Sequence, residues 1–200
     1  MIKIAAFIIP KRKIQIKILN LKKIIKRNFG NQPYLSHPPH CTLFTINVSA
    51  NILKKKNKLK KIKIIPSLKN ILTIKEAGLF PNDPITGGQT IYFKIKKNSF
   101  LSILQLELLK LFSKFNVNKK KTRFKFVWMN KNNDKYGYPF VGKKWIPHFT
   151  IASLTNLYEK NKFIKNFLSK KIKSSELVNK VYIYKIKGDK HTYLWNININ

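Results

Sequence analysis

Two short segments of this chain repeat one another. Residues 37–44 read HPPHCTLF and residues 146–153 read IPHFTIAS. In both, a histidine (His40, His148) follows a proline, precedes a threonine by two residues (Thr42, Thr150) and is followed at the third position by an aliphatic residue. The 200 residues hold four histidines and nine threonines, so two matched H-x-T pairs exceed what composition produces. Residues i and i+2 of a strand project from one face. His40 therefore shares a face with Thr42, and His148 with Thr150. Cys41, Leu43, Phe149 and Ile151 turn the other way and can anchor each strand in a core. An imidazole gives or takes a proton near neutral pH, and a threonine hydroxyl can donate to a phosphoryl oxygen. Two such modules facing each other suit acid–base chemistry at a phosphoester. One histidine takes the proton of the attacking hydroxyl or water while the other protonates the departing oxygen. The threonines, with nearby lysines or backbone amides, stabilise charge on the phosphate in flight. One H-x-T alone would read as a buried histidine satisfied by a hydroxyl; the matched pair favours a site.

Other chemistries lack their residues. The seven carboxylates (Glu76, Asp83, Glu107, Asp134, Glu159, Glu176, Asp189) form no local metal-binding cluster. No glycine-rich phosphate loop and no nucleophile elbow occurs. The single cysteine, Cys41, excludes a zinc knuckle and an intramolecular disulfide, as suits a reducing cytoplasm. His37, His40 and Cys41 could supply part of a metal site, but Pro38 and Pro39 forbid the helical spacing such ligands use. The two-histidine mechanism calls for no metal and no cofactor.

The elements that would position the motifs follow from hydrophobic periodicity. Residues 2–9 read as a buried strand ended by Pro10. In the next segment Ile14, Ile18, Leu21 and Ile25 form one helical stripe, with Gly30 as the stop. Residues 40–48 and 146–154 are the motif strands. NILTIKEAGLF and QTIYFKIK read as two strands joined by PNDPITGG. A helix is expected over about 99–115, with Leu101, Leu104, Leu108 and Leu111 on one face and Ser102 with Gln105 resembling a capping box. TRFKFVWM reads as a strand, residues 130–145 as a long loop, 157–169 as a helix, and KVYIYKI with TYLWNINI as a closing hairpin. One motif per half suggests two similar lobes facing a cleft. The apolar run at the N-terminus is too short for a signal peptide, and no run reaches membrane-spanning length.

The formal net charge is +35, from 42 Lys and Arg against seven Asp and Glu. Such a field draws polyanions and speeds their encounter, which points to RNA. Part of the lysine excess can equally be compositional drift on solvated faces. The same two readings apply to the runs at 54–63 and 119–125.

The spaced motifs His40-Cys41-Thr42-Leu43 and His148-Phe149-Thr150-Ile151 resemble those of the two-histidine (2H) phosphoesterase superfamily, which includes the 2′–5′ RNA ligase and cyclic phosphodiesterase proteins. The resemblance extends to a first strand ending FIIP, a GLF segment before a strand–helix unit, and a tryptophan-bearing last strand. It implies a single bilobed α+β domain over residues 1–200. That fold has two antiparallel-rich sheets related by pseudo-two-fold symmetry around a central cleft, with helices outside. It also implies action on 2′,3′-cyclic phosphates or 2′,5′ linkages of RNA or nucleotides. His40 and His148 would be catalytic, and Thr42 and Thr150 would bind phosphate.

Around them, Phe80, Tyr138 and Trp145 can stack on a base or simply pin loops to the core, and Lys143 can meet a phosphate or solvent. The alternative to catalysis is a basic RNA-binding protein that keeps the cleft only as a scaffold; a third reading is a site for small nucleotides with incidental surface charge. His37 reads as a loop histidine at the mouth of the cleft or in solvent, and His191 carries no assigned role. The expected protein is a cytoplasmic monomer with an RNA or nucleotide substrate and no membrane partner.

Overall fold

The computed structural model describes residues 1–60, 69–83, 85–117, 123–155 and 161–199. Its elements are β1 (Ile2–Ile8), α1 (Arg12–Phe29), β2 (Cys41–Val48), α2 (Lys56–Lys60), β3 (Ile71–Phe80), β4 (Gln89–Ile95), α3 (Ser99–Ser113), α4 (Val127–Tyr136), β5 (His148–Leu154), α5 (Asn161–Leu168), β6 (Ser174–Leu177), β7 (Lys180–Lys187) and β8 (Lys190–Asn198). They build two four-stranded sheets, ordered β2-β1-β7-β8 and β5-β4-β3-β6, with every pairing antiparallel. This is the expected α+β architecture.

The two sheets repeat a common plan. In each, a central strand leads through a long helix to the edge strand that carries a motif: β1-α1-β2 in one sheet, β4-α3-β5 in the other. The edges β2 and β5 lie against each other. The helices are exchanged, with α1 packing on β5 and α3 on β2. Neither sheet therefore has a core of its own, and the buried side chains form one continuous cluster.

The aliphatic stripe of α1 is buried as its period requires, Ile18 and Ile25 completely. Gly30 ends the helix with φ 69°, in the left-handed region that glycine enters at little cost. The start of α1 has no side-chain cap of its own; the Lys11 N–H donates to Glu176 Oε2 of β6 at 2.9 Å. Burial raises the pKa of that carboxyl against the opposing effect of this hydrogen bond.

Three local expectations are corrected. TRFKFVWM is not a strand; Val127 begins α4, which ends at Gly137 in the left-handed conformation. The first part of the expected loop at 130–145 is the rest of that helix. Ser102 and Gln105 form no capping box. Asn98 caps α3, its Oδ1 accepting from the Leu101 N–H at 2.9 Å, and Gln105 is fully buried elsewhere. The short strand β6 was not foreseen, and it pairs with β3. Of the basic runs, residues 54–60 lie in a 3-10 turn and α2. Residues 61–63 and 119–122 lie outside the described residues, as do 157–160 of the expected last helix.

Candidate functional site

The two motifs are built alike in register and in the tether of each imidazole. In each, the cross-strand register slips by one residue at the motif's fourth position. Phe7 opposes Thr42 and Ala6 opposes Phe44, leaving Leu43 bulged. Tyr92 opposes Thr150 and Ile91 opposes Ala152, leaving Ile151 bulged. A bulge bends its strand and re-aims nearby side chains. On the core side Cys41, Leu43, Phe149 and Ile151 are fully buried. On the other side His40, Thr42, His148 and Thr150 are partly exposed. Neither threonine hydroxyl has a hydrogen-bond partner among the described residues, so both remain free for a ligand.

Each imidazole is tethered by the same bond. His40 Nδ1 lies 2.6 Å from the Pro38 carbonyl oxygen, and His148 Nδ1 lies 2.7 Å from that of Ile146. A carbonyl only accepts, so each Nδ1 carries the proton and donates it. That leaves Nε2 of each neutral ring as a lone pair able to take a proton. The motifs meet through Cys41, whose sulfur accepts from the backbone N–H of His148. Burial pushes that thiol up to about 12, so Cys41 stays a neutral core residue, turned away from His40.

An aromatic ring packs against each histidine from the neighbouring strand. Phe7 lies 3.9 Å from the His40 ring between centroids, and Tyr92 lies 5.0 Å from that of His148. Phe80 adds a second ring 5.1 Å from His148, stacked on Tyr92 at 4.2 Å. Gly78 opposes Tyr92 across β3–β4, and a Cβ there would stand 2.5 Å from the Tyr92 ring. That ring also contacts Phe80 and His148, so a shift of it is felt at the motif. Gly78→Ala is therefore expected to push Tyr92 toward His148 and to lower kcat/KM for a cyclic phosphate by roughly tenfold or more, as a displacement of about 1 Å does. Steady-state kinetics beside a melting curve check this: wild-type kcat/KM in a folded variant would refute the contact.

The surroundings of the two histidines differ in charge. Burial pushes His40 down to about 3, aided by the nearby His191, His37 and Lys22 and opposed by the Pro38 carbonyl. Burial also lowers His148, opposed by the Ile146 carbonyl and the Asp83 carboxylate. Asp83 is buried and held by the Thr90 hydroxyl at 2.6 Å, the Tyr34 hydroxyl at 3.0 Å and the Ile85 N–H at 2.9 Å. Tyr34, in the α1–β2 loop with φ 69°, thereby ties the first motif's loop to the second sheet. The Lys22 ammonium of α1 sits under that loop and donates to the carbonyls of Tyr34 and His37. Burial lowers Lys22 to about 8.

Of the expected substrate contacts, Phe80 is brought to His148, while Tyr138, Lys143 and Trp145 are not. Tyr138 lies beside Cys41 on the core side, where burial raises its hydroxyl pKa. Trp145 is buried beneath the Lys97 ammonium. Lys143 is exposed in the 3-10 turn Gly142–Lys144. Sequence reasoning missed Phe7, Tyr34, Asp83 and Tyr92, and gave no role to His191, which lies 5.3 Å from His40 between ring centroids. Periodicity could have flagged Phe7 and Tyr92, as the aromatic positions of the strands that pair with the motifs. Nothing local marked the others. Among the described residues, no group of three or more His, Cys, Asp or Glu is arranged to hold a metal ion, and no helix is long and apolar enough to cross a membrane.

Solved structures share this fold at low identity. TT0787 of Thermus thermophilus aligns with TM-score 0.59 at 13% identity, over 98% of this chain and 97% of its own. A protein described as a phosphoesterase gives 0.55 at 14%, over 100% and 98%. E. coli LigT, solved with NADP+, gives 0.54 at 14%, also over 100% and 98%. No curated protein matches the chain by sequence. Residues 5–191 match the AKAP7 2′5′ RNA ligase-like domain, a span that holds both motifs and runs from within β1 to the start of β8. The chain belongs to that family, and with it to the two-histidine phosphoesterase superfamily.

Proposed function

We propose that this protein is a phosphoesterase that opens 2′,3′-cyclic phosphates or 2′,5′-phosphodiester bonds of RNA or nucleotides, with His40 as base and His148 as acid. The observation that carries the reading is the duplicated tether: both Nδ1 protons are committed to backbone carbonyls, which frees both Nε2 atoms beside two unpartnered threonine hydroxyls. In hydrolysis of a cyclic phosphate, His40 Nε2 takes a proton from water as its oxygen bonds to phosphorus. The bond from phosphorus to one ribose oxygen breaks, and the His148 Nε2 proton passes to that oxygen. Thr42 and Thr150 donate to the non-bridging oxygens. The charge asymmetry supports the roles. His40 stands near the Lys22 ammonium and two further imidazoles, all of which disfavour its protonated form, whereas Asp83 favours the protonated form of His148. E. coli LigT has been solved with 3′-AMP, ATP and phosphate, which supports a nucleotide ligand for this fold.

The pH dependence of kcat/KM tests the assignment, because it reports the free enzyme. A base works only above its pKa and an acid only below it. With His40 near 3 and His148 below its ordinary value of 6.5, kcat/KM should peak on the acid side of 6.5 and fall as pH rises. Bound phosphate favours both imidazolium forms, so the kcat optimum should lie at higher pH than that of kcat/KM. The substrate is an oligoribonucleotide ending in a 2′,3′-cyclic phosphate, assayed in EDTA. A kcat/KM still rising through pH 8 would exclude His148 as the acid. RNA bound without turnover would favour the binding-only reading.

A further inference from the structure

We infer that His37 and His191, with the Lys22 ammonium behind them, form a subsite beside His40 for a second, non-reacting phosphate of the substrate. The inference rests on the two-histidine reading and adds a selection: nucleotides with two phosphates are preferred to those with one.

Three of the chain's four histidines gather at this place. The His37 and His191 rings lie 4.6 Å apart between centroids, His191 lies 5.3 Å from His40, and His37 lies 6.4 Å from His40. They come from the α1–β2 loop, the residue before β2 and the start of β8, so the cluster exists only once the sheet β2-β1-β7-β8 is formed. His148 has no such neighbours among the described residues. Tyr92 stands to His148 as Phe7 stands to His40, and the further ring beside His148 is Phe80 where His40 has histidines. The site is symmetric in its reacting atoms and asymmetric beside them: His37, His191 and Lys22 gather near His40, whereas His148 has Phe80, the Asp83 carboxylate and the Lys94–Glu76 pair nearby.

Among the described residues, the His40 end lacks a buried counter-ion. Lys22 is buried, and its charge meets only the carbonyl oxygens of Tyr34 and His37. The one described carboxylate in hydrogen-bond reach is Asp189 of the β7–β8 turn, 3.3 Å from His37 Nε2. Its side chain is 84% exposed, and a pair so open to water is weak and easily displaced. His191 Nδ1 is buried with no partner among the described residues, and the ring's Nε2–H tautomer can donate from its other nitrogen. Two imidazole donors in front of an uncompensated ammonium suit a phosphate. A cation would be repelled by Lys22. The site is one residue cluster away from the reacting phosphorus, so the anion it suits best is another phosphate of the same molecule.

Calorimetric titration with adenosine 2′-monophosphate and adenosine 2′,5′-bisphosphate tests this without requiring turnover. The wild-type protein is expected to bind the bisphosphate about tenfold more tightly, a difference of about 1.4 kcal/mol. In the double variant His37→Gln/His191→Gln the ratio should fall below about threefold. Lys131→Gln, an exposed charge on α4, should leave the ratio at its wild-type value. A wild-type ratio near one, or an equal ratio in the double variant, overturns the subsite. If cyclic phosphate is hydrolysed while the ratio is near one, the subsite falls and the two-histidine reaction stands. If neither nucleotide binds and nothing is hydrolysed, both fall.

Discussion

Replacing either His40 or His148 with alanine is expected to lower turnover of a 2′,3′-cyclic phosphate by about a hundredfold to ten-thousandfold, the usual contribution of one positioned proton-transfer group. The two losses should not multiply. Acid and base act in one concerted displacement, so once either is gone the other has no step to complete, and the double variant should resemble the worse single variant. Neither ring is part of the deep core. Both are partly exposed and held mainly by one backbone carbonyl and flanking aromatic rings, so the variants should fold. Turnover measured beside a melting curve separates loss of chemistry from loss of structure. On the RNA-binding alternative, an affinity set largely by the +35 net charge should persist in both variants and fall steeply with salt. A folded His148→Ala protein with wild-type turnover would end the two-histidine mechanism.

Gln105→Leu is expected to cost about 3 kcal/mol of stability although it touches no ligand. The bulge at Leu43, which aims the first motif, takes that carbonyl out of the β1–β2 ladder. Gln105 Nε2 of α3 donates to it at 2.9 Å and to the Phe140 carbonyl at 2.9 Å, while its Oε1 accepts from the Gly142 N–H at 3.3 Å. One fully buried side chain thus satisfies three backbone groups and ties the first motif's strand to the segment that leads into the second. Leucine fits the volume but leaves all three groups unpaired, at about 1–3 kcal/mol each before any gain from apolar burial. For a chain of this size the melting temperature should drop by roughly 6–12 °C. A shift under about 2 °C would mean that water or a rearranged loop replaces the amide.

Local pattern was legible wherever one face of an element is buried. The α1 stripe, the alternation in β2 on either side of its bulge, and the β7–β8 hairpin follow from burial of one face, which leaves a regular period in the sequence, whereas β5 alternates only through its motif and is then buried on both faces. The period failed where tertiary contacts set the conformation. At the start of α4, Phe126 before the helix and Val127 and Trp128 within it read as a strand because aromatic and β-branched residues favour one. Met129 is the one buried residue of that helix, so there is almost no stripe to read. The Asn130 side chain bonds both the N–H and the carbonyl of Phe124, supplying a start that no propensity records. Likewise β6, only four residues long, is a strand because the edge of β3 is there to pair with it.

By itself the sequence determined the candidate reacting groups and how they face, because an H-x-T on a strand fixes its own facing: the two-residue period alone puts histidine and threonine on one side and the core anchors on the other. Only the tertiary structure decided what surrounds them. Asp83 reaches Tyr34 across 49 residues, and His37 reaches Asp189 across 152. A charge acts through space over a few ångströms whatever its distance along the chain, so the field that separates His40 from His148 is a property of the packed sheets and has no local signature to read.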